Sequence, residues 1–165
     1  MVSDLKTAYC KTPLGIAEII GNDDGVQSVS VLNEDEVFEK KQNDNLPLPL
    51  KNCVQQLNEY FEGTRKDFSV KLNPQGTKFQ QKVWNALLDI PFGRTKSYLD
   101  QSKKLGDVKA IRAVASANGK NPIWILIPCH RVIGSDGSLT GYAGGTWRKK
   151  WLLEHESGSK QQSLF

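Results

Sequence analysis

Cys129, His130 and Arg131 put a thiol, a titratable base and a permanent cation in consecutive positions. A cysteine attacks as its thiolate, which a neighbouring base or positive charge stabilises. A lone buried cysteine is more often inert packing; here the neighbours turn the reading toward a nucleophile. Adjacent residues on an extended strand point to opposite faces, so His130 reaches Cys129 only through a bend or a bridging water. A histidine base also needs a third group to fix its tautomer and stabilise its charged form. Arg148, Leu152 and the pair His155 and Glu156 lie at successive helical turns. Glu156 thus follows Leu152 on a mostly apolar face, where a carboxylate needs a partner. That spacing nominates Glu156 for His130; the alternative is a frayed, exposed helix end.

The elements that must position these groups follow from the local patterns. Ile125, Leu126 and Ile127, bounded by Pro122 and Pro128, form a short apolar run that predicts a buried segment delivering Cys129 and His130 to an interior edge. Thr77 and Gln80 have the spacing of a capping box, and Phe79, Val83, Trp84, Leu87 and Leu88 form the apolar face of the helix that follows, ending near Pro91. Two short helices, over residues 98–105 and 108–118 around Gly106, predict a helix-turn-helix. The second is poor in bulk: Ala110, Ala113, Ala115, Ser116 and Ala117 leave Arg112 as its long cationic projection. Such a helix either packs tightly against another or enters a groove of DNA. The first half reads as scaffold. Residues around Ile16–Ile20 and Val29–Val31 predict an antiparallel hairpin through the turn at residues 22–25, residues 40–49 a loop, and Leu50, Val54, Leu57 and Phe61 a helix stopped by Gly63.

At 165 residues, with 38% hydrophobic and 24% charged residues, the chain has room for one ordinary globular domain or two small ones. Its net charge of +4 is unevenly placed: residues 1–70 carry 7 Lys/Arg against 12 Asp/Glu, and residues 71–165 carry 15 against 6. A half with a net charge of +9 beside one of −5 points to a polyanionic partner such as nucleic acid. Three cysteines at wide spacing and two histidines argue against a disulfide framework and a zinc site. The first residues lack the apolar core of a signal peptide and no run reaches membrane-spanning length, so the expectation is a reducing, intracellular compartment.

The segments Phe79–Trp84, Ile90–Gly93, Ser97-Tyr98, Ile111–Val114, Asn121-Pro122 and, above all, Ile127-Pro128-Cys129-His130-Arg131-Val132-Ile133-Gly134 resemble the O6-alkylguanine-DNA alkyltransferases, also called methylated-DNA–protein-cysteine methyltransferases. The likeness continues through Gly141-Tyr142-Ala143-Gly144-Gly145 to Trp151–Glu156, covering residues 75–156 in order. It implies an α+β protein: a small N-terminal domain with antiparallel sheet and helix (residues 1–72), a mainly helical, winged-helix-like domain (73–156) with the helix-turn-helix, and a flexible tail (157–165). It implies direct-reversal repair, in which O6-methylguanine, and less well O4-methylthymine, is flipped from duplex DNA and its alkyl group moves irreversibly to Cys129. His130 would deprotonate Cys129 through a water, Glu156 would orient His130, Asn121 would brace the turn, and Tyr98 would donate a proton to the leaving guanine. Arg112 would fill the space the base vacates, on the small-residue face of Ala110, Ala113 and Ser116, in the minor groove. The carbonyls of Cys129 and Val132, the Ala143 amide and the Tyr142 loop would frame the base.

No cofactor and no metal are implied, since the first half lacks the histidines of the zinc-binding relatives. Trp124 stands where relatives often carry a smaller residue, which implies a narrower pocket. Cys129 itself argues against a related non-catalytic group that has tryptophan there. The expected state is a cytoplasmic monomer, nuclear in a eukaryote. The end of the tail, Gln161-Gln162-Ser163-Leu164-Phe165, resembles the peptide by which bacterial repair proteins dock on the sliding clamp, the alternative being an unengaged tail. Two competing functions are a non-catalytic helix-turn-helix DNA binder or lesion sensor, and a cysteine hydrolase using Cys129 and His130.

Overall fold

The computed structural model describes residues 4–32, 44–139, 142 and 145–158. Two compact units emerge: the first takes residues 1–75 together with Pro122–Trp124, and the second takes Gly76–Asn121 and residues 125–165.

The first unit is a three-stranded antiparallel sheet, β1 (Lys6–Thr12), β2 (Gly15–Asn22) and β3 (Gly25–Val31), in the order β1-β2-β3, with helix α1 (Leu48–Glu62) packed on it. Alternation puts Ala8 and Cys10 of β1, Ala17 and Ile19 of β2, and Val26 and Val29 of β3 into the core. The predicted hairpin is therefore one strand short. β1 mixes Lys, Thr and Tyr with two small buried residues, a weak strand pattern that its pairing with β2 makes good. The free edge of β3 is covered by two short stretches of chain. The Val26 amide donates to Lys71 O and the Asn73 amide to Val26 O (2.9 and 2.8 Å), while the Val29 amide donates to Pro122 O and the Trp124 amide to Val29 O (both 2.9 Å). Covering the edge in this way removes a template for unwanted strand pairing.

Helix α1 starts earlier than the predicted loop allowed, with Pro47 as its cap and Pro49 in its first turn, where a missing N–H costs no helical bond. Its buried face is Leu50, Cys53, Leu57 and Tyr60; Val54 and Phe61 are only half-buried, one residue round from the expected stripe. Gly63 ends it in the left-handed conformation at φ 88°, a geometry that favours glycine.

In the second unit, α2 (Lys78–Leu87) opens on the expected capping box: the Gln80 amide donates to Thr77 Oγ1 at 3.1 Å and the Thr77 amide to Gln80 Oε1 at 3.0 Å. Val83, Trp84 and Leu87 are buried, whereas Phe79 and Leu88 are exposed. The helix-turn-helix follows as α3 (Tyr98–Lys104), a 3₁₀ turn over Val108–Ala110, and α4 (Ile111–Gly119), so the regular part of the second helix begins three residues later than predicted. Trp84 Nε1 donates to Ala117 O at 2.8 Å and ties α4 to α2. Gln101 and Asn118 exchange two buried amide hydrogen bonds, 3.0 and 2.7 Å, that tie α4 to α3. Strands β4 (Lys96–Ser97) and β5 (Val132–Ile133) form a short parallel ladder, and α5 (Thr146–Ser157) closes the described chain. No helix among the described residues is long and apolar enough to cross a membrane.

Candidate active site

All three cysteines are free, but their surroundings differ. Cys10 and Cys53 are buried in the first unit; burial, with Cys10 adding to it, pushes the Cys53 thiol up to about 12, and burial raises Cys10 as well. Both remain thiols at neutral pH. Cys129 is partly exposed and stands at the start of a single 3₁₀ turn, Cys129–Arg131. That turn supplies the bend the sequence required, because it replaces the strand geometry that would send Cys129 and His130 to opposite faces.

The turn is held from behind. Ile125, Leu126 and Ile127 are 1–4% exposed, as expected of an apolar anchor. Ile125 lies at φ 71°, a left-handed conformation costly for a β-branched residue and tolerated where surrounding packing enforces it. Asn121 Nδ2 donates to the Ile127 carbonyl at 2.7 Å, which fixes the chain two residues before the cysteine. The Val132 amide donates to the Cys129 carbonyl and closes the turn on its far side. Val132, fully buried, then enters β5 opposite Lys96.

Behind the thiol lies a buried charge cluster. His130 is 0% exposed, and its Nε2 lies 2.7 Å from Glu156 Oε2. Arg131 grips the same carboxylate with two bonds, Nε to Oε1 at 2.8 Å and Nη2 to Oε2 at 3.0 Å, and gives Nη1 to the Ile90 carbonyl at 2.7 Å. Glu156 is 5% exposed, so the frayed-end alternative does not apply. Burial alone would raise its carboxyl, but the charges and hydrogen bonds of His130 and Arg131 outweigh that and hold it well below the usual carboxylate range. An ionised Glu156 can only accept, so Nε2 carries the imidazole proton and Nδ1 is left as a bare acceptor. Nδ1 has no hydrogen-bond partner among the described residues.

Burial pushes His130 below its ordinary 6.5; Glu156 opposes this, and the charges of Arg131 and Lys149 add to it. The imidazole is therefore neutral at neutral pH. Burial also raises the Cys129 thiol, while Asn121 and Lys149 favour its thiolate without reversing that. The resting site is a thiol beside a neutral base. Tyr98, half-buried at the start of α3, is raised by burial and then by Cys129.

The other predicted residues divide by position. Arg112, Ala113 and Ser116 are exposed on α4 and Ala110 is half-buried just before it, while Ala117 is buried, so the small residues divide between an outward face and the packing against α2. Tyr142 is half-buried, and Ala143 lies outside the described residues. Trp124 is 7% exposed in the first unit, its ring 6.3 Å from that of Phe61. It is a packing residue of that unit. Arg131, read from the motif as the cation beside the thiol, is committed instead to Glu156, and Lys149 is the buried cation the sequence did not single out. Arg131 adjoins the motif but its bidentate grip on Glu156 has no local signal, and Lys149 is hidden in the basic run Arg148-Lys149-Lys150.

Comparison with known proteins covers nearly the whole chain. Residues 5–74 match the family model for the 6-O-methylguanine DNA methyltransferase ribonuclease-like domain, and residues 78–158 that for the DNA binding domain of the same family. A methylated-DNA–protein-cysteine methyltransferase of Methanosarcina acetivorans is 42% identical over 153 residues, 90% of this chain and 96% of the relative. The crystal structure of Mycobacterium tuberculosis O6-methylguanine methyltransferase superposes with a TM-score of 0.82 at 39% identity, covering 96% of this chain and 97% of the other. That of Mycobacterium tuberculosis OGT in complex with DNA gives a TM-score of 0.79 at 42% identity, covering 93% and 92%.

The buried cluster makes a prediction about stability. His130 and Glu156 both have depressed folded values, so both contribute stability that is complete above their unfolded values and is lost as pH falls through the folded ones. Acid unfolding should therefore begin below the ordinary histidine value of 6.5 and steepen below the ordinary carboxyl value of 4.5. Glu156→Gln should cost about 3 kcal/mol at pH 7, by leaving the buried guanidinium without its counter-charge, and should flatten the steeper stage. Chemical denaturation from pH 3 to 8 reads both effects; an unchanged profile in the variant would count against the cluster.

Proposed function

The chain belongs to the O6-methylguanine DNA methyltransferase family, and from that premise we propose that it repairs O6-methylguanine, and less readily O4-methylthymine, by moving the alkyl group from the base to Cys129. The observation that carries this reading is the neutral, buried His130, whose Nε2 proton is committed to Glu156 while Nδ1 remains an acceptor.

The chemistry is one displacement. A water between Cys129 and His130 passes the thiol proton to Nδ1, and the imidazolium is stabilised by Glu156, itself held by Arg131. The thiolate sulfur attacks the alkyl carbon; the S–C bond forms as the C–O6 bond breaks, and the electron pair leaves with the purine. Tyr98 supplies a proton donor for that developing anion. Asn121 keeps the Ile127 carbonyl, and so the turn, in place. The product is a thioether, which no group in the site can hydrolyse, so each molecule acts once. Neither a cofactor nor a metal enters any step.

The base reaches this site by leaving the duplex. Unstacking costs about a few kcal/mol, and Arg112 offsets part of it by entering the gap. The exposed small residues Ala113 and Ser116 let α4 lie deep in the minor groove, where readout is poor and a repair protein needs none, with the Val132 carbonyl and the Tyr142 and Ala143 loop framing the flipped guanine. Phosphate attraction to the basic half supplies most of the affinity, which should fall steeply with salt. The proposed reactive groups all come from the second unit of one chain, which supports a monomer, and a cytoplasmic location accords with the bacterial and archaeal relatives.

A non-catalytic DNA binder would need no buried base beside a thiol. Incubation with a duplex carrying O6-methylguanine, followed by intact mass, separates the readings. Transfer adds one methylene unit at Cys129, none in Cys129→Ala; a binder leaves the mass unchanged, and a hydrolase repairs the base repeatedly with unmodified protein.

A second partner rests on the tail alone. Gln161, Leu164 and Phe165, outside the described residues, offer a glutamine and two terminal hydrophobes that fit the docking pocket of a sliding clamp, which would carry the protein along newly replicated DNA. Pull-down on immobilised clamp should retain the full chain and lose one lacking residues 161–165. Equal retention of both chains contradicts this partner.

A further inference from the structure

The segment Ile90-Pro91-Phe92-Gly93 takes no step in the reaction set out above, yet three of its four residues reach the cluster on Glu156. The Arg94 amide donates to Pro91 O at 3.1 Å and closes a tight turn with Phe92 and Gly93 at its corners. Gly93 lies at φ 81°, and a Cβ there would stand 3.2 Å from the Glu156 carbonyl oxygen. Glycine is favoured twice over, by the backbone conformation and by this close approach to the end of α5. Ile90 gives its carbonyl to Arg131 Nη1 at 2.7 Å. Phe92 reaches the cluster with its ring, whose centre is 5.9 Å from the guanidinium carbon of Arg131.

That guanidinium spends its N–H groups in its own plane, on Glu156 and on Ile90, and an aromatic ring is a partner suited to its faces. Phe92 also meets His155 edge-on, with ring centres 6.5 Å apart at 75°, and His155 lies flat on Trp151 at 5.0 Å and 18°. Trp151, His155 and Phe92 thus make a row of rings that ends on the guanidinium. All three are half-buried, whereas Arg131, Glu156 and His130 are 6%, 5% and 0% exposed. Rings at the boundary between solvent and a buried ion cluster have a direct physical effect. Water admitted there would screen the charges from one another and solvate their ionised forms.

Taking His130 as the base toward Cys129, as above, we propose that Phe92 is a positioning residue for transfer: its ring, braced by His155 and Trp151, shuts water away from the Arg131–Glu156 pair that holds His130. Phe92 touches neither the sulfur nor the base, and no bond to it forms or breaks. Its effect has a definite sign. Burial is the largest cause that holds His130 below its ordinary 6.5, and the charges of Arg131 and Lys149 act in the same direction, against Glu156. Admitting water relieves the burial and screens the charges, so His130 moves up toward 6.5 and is protonated at a higher pH. A protonated ring cannot take the thiol proton. The groups that titrate or carry charge around it are Cys129 and Arg131 on the 3₁₀ turn and Lys149 and Glu156 on α5; His155, also on α5, faces Phe92.

The test uses the full chain and its Phe92→Ala and Phe92→Leu variants. Single-turnover transfer from an O6-methylguanine duplex is measured between about pH 5 and pH 8.5, and the ring nitrogens of His130 are titrated by NMR without DNA. The chain has one other histidine, so a His155→Gln sample assigns the signals. In the wild type the acid limb of transfer should lie below 6.5. Phe92→Ala should raise both that limb and the His130 titration by about one unit, and so cost more rate at pH 6 than at pH 8. Phe92→Leu, which keeps part of the apolar cover, should move both in the same direction by less. A Phe92→Ala protein whose His130 titration is unmoved, or whose transfer slows equally at every pH, overturns the proposal. Should Phe92→Ala fail to fold, Phe92→Leu decides: an upward shift in both readouts supports the role and an unmoved titration contradicts it. If the wild type transfers nothing, the function proposed above fails, while the NMR titration still reads what Phe92 does to His130.

Discussion

One carboxylate governs the second unit. Glu156, at the end of α5, accepts two bonds from Arg131 and one from His130, all away from solvent. Such a group is not kept for stability alone, since an apolar replacement of equal volume would often serve as well, and losing either partner strands a buried charge. What it does is fix α5 against the 3₁₀ turn that carries Cys129. It also chooses the imidazole tautomer, because an ionised carboxylate cannot donate. The reactive lone pair at Nδ1 is a consequence of where the other nitrogen's proton is spent.

The supporting elements serve the same end. The Asn121 amide on the Ile127 carbonyl and the Val132 amide on the Cys129 carbonyl hold both sides of a turn that Ile125 enters through an unfavourable conformation. The helix-turn-helix is fastened separately, by Trp84 on Ala117 and by the reciprocal amides of Gln101 and Asn118, which leave Arg112 and its small neighbours outward. Both parts are attached within one unit, which in the proposed reaction would let contacts to the DNA backbone be converted into placement of a flipped base at the sulfur.

The chemistry was more legible in the sequence than the architecture. Cys129 and His130 are adjacent, and Glu156 falls on the apolar stripe of a periodic helix, so spacing alone could pair them. The capping box at Thr77 and Gln80 and the stop at Gly63 are local signals, and both describe the folded chain. Features that depend on distant chain were not legible. β1 buries only the small residues Ala8 and Cys10, a weak apolar alternation that its pairing with β2 makes good. Pro122–Trp124 joins the first unit through two bonds to β3, a membership that its place in the motif did not show. In α1 the choice of Cys53 and Tyr60 over Val54 and Phe61 is a matter of helix rotation, set by the sheet beneath. Lys149 sits in a basic run with no local signal of burial, and only the fold shows that it is buried.

The central claim is that Glu156 holds His130 neutral, with its proton on Nε2, so that Nδ1 can act as the base toward Cys129. Ring-nitrogen NMR of the histidine-labelled protein at pH 7, with His130 identified by its absence in His130→Gln, tests this directly. The account predicts a protonated Nε2 and an unprotonated Nδ1 in the free protein. A proton on Nδ1, or a doubly protonated ring at that pH, would contradict it.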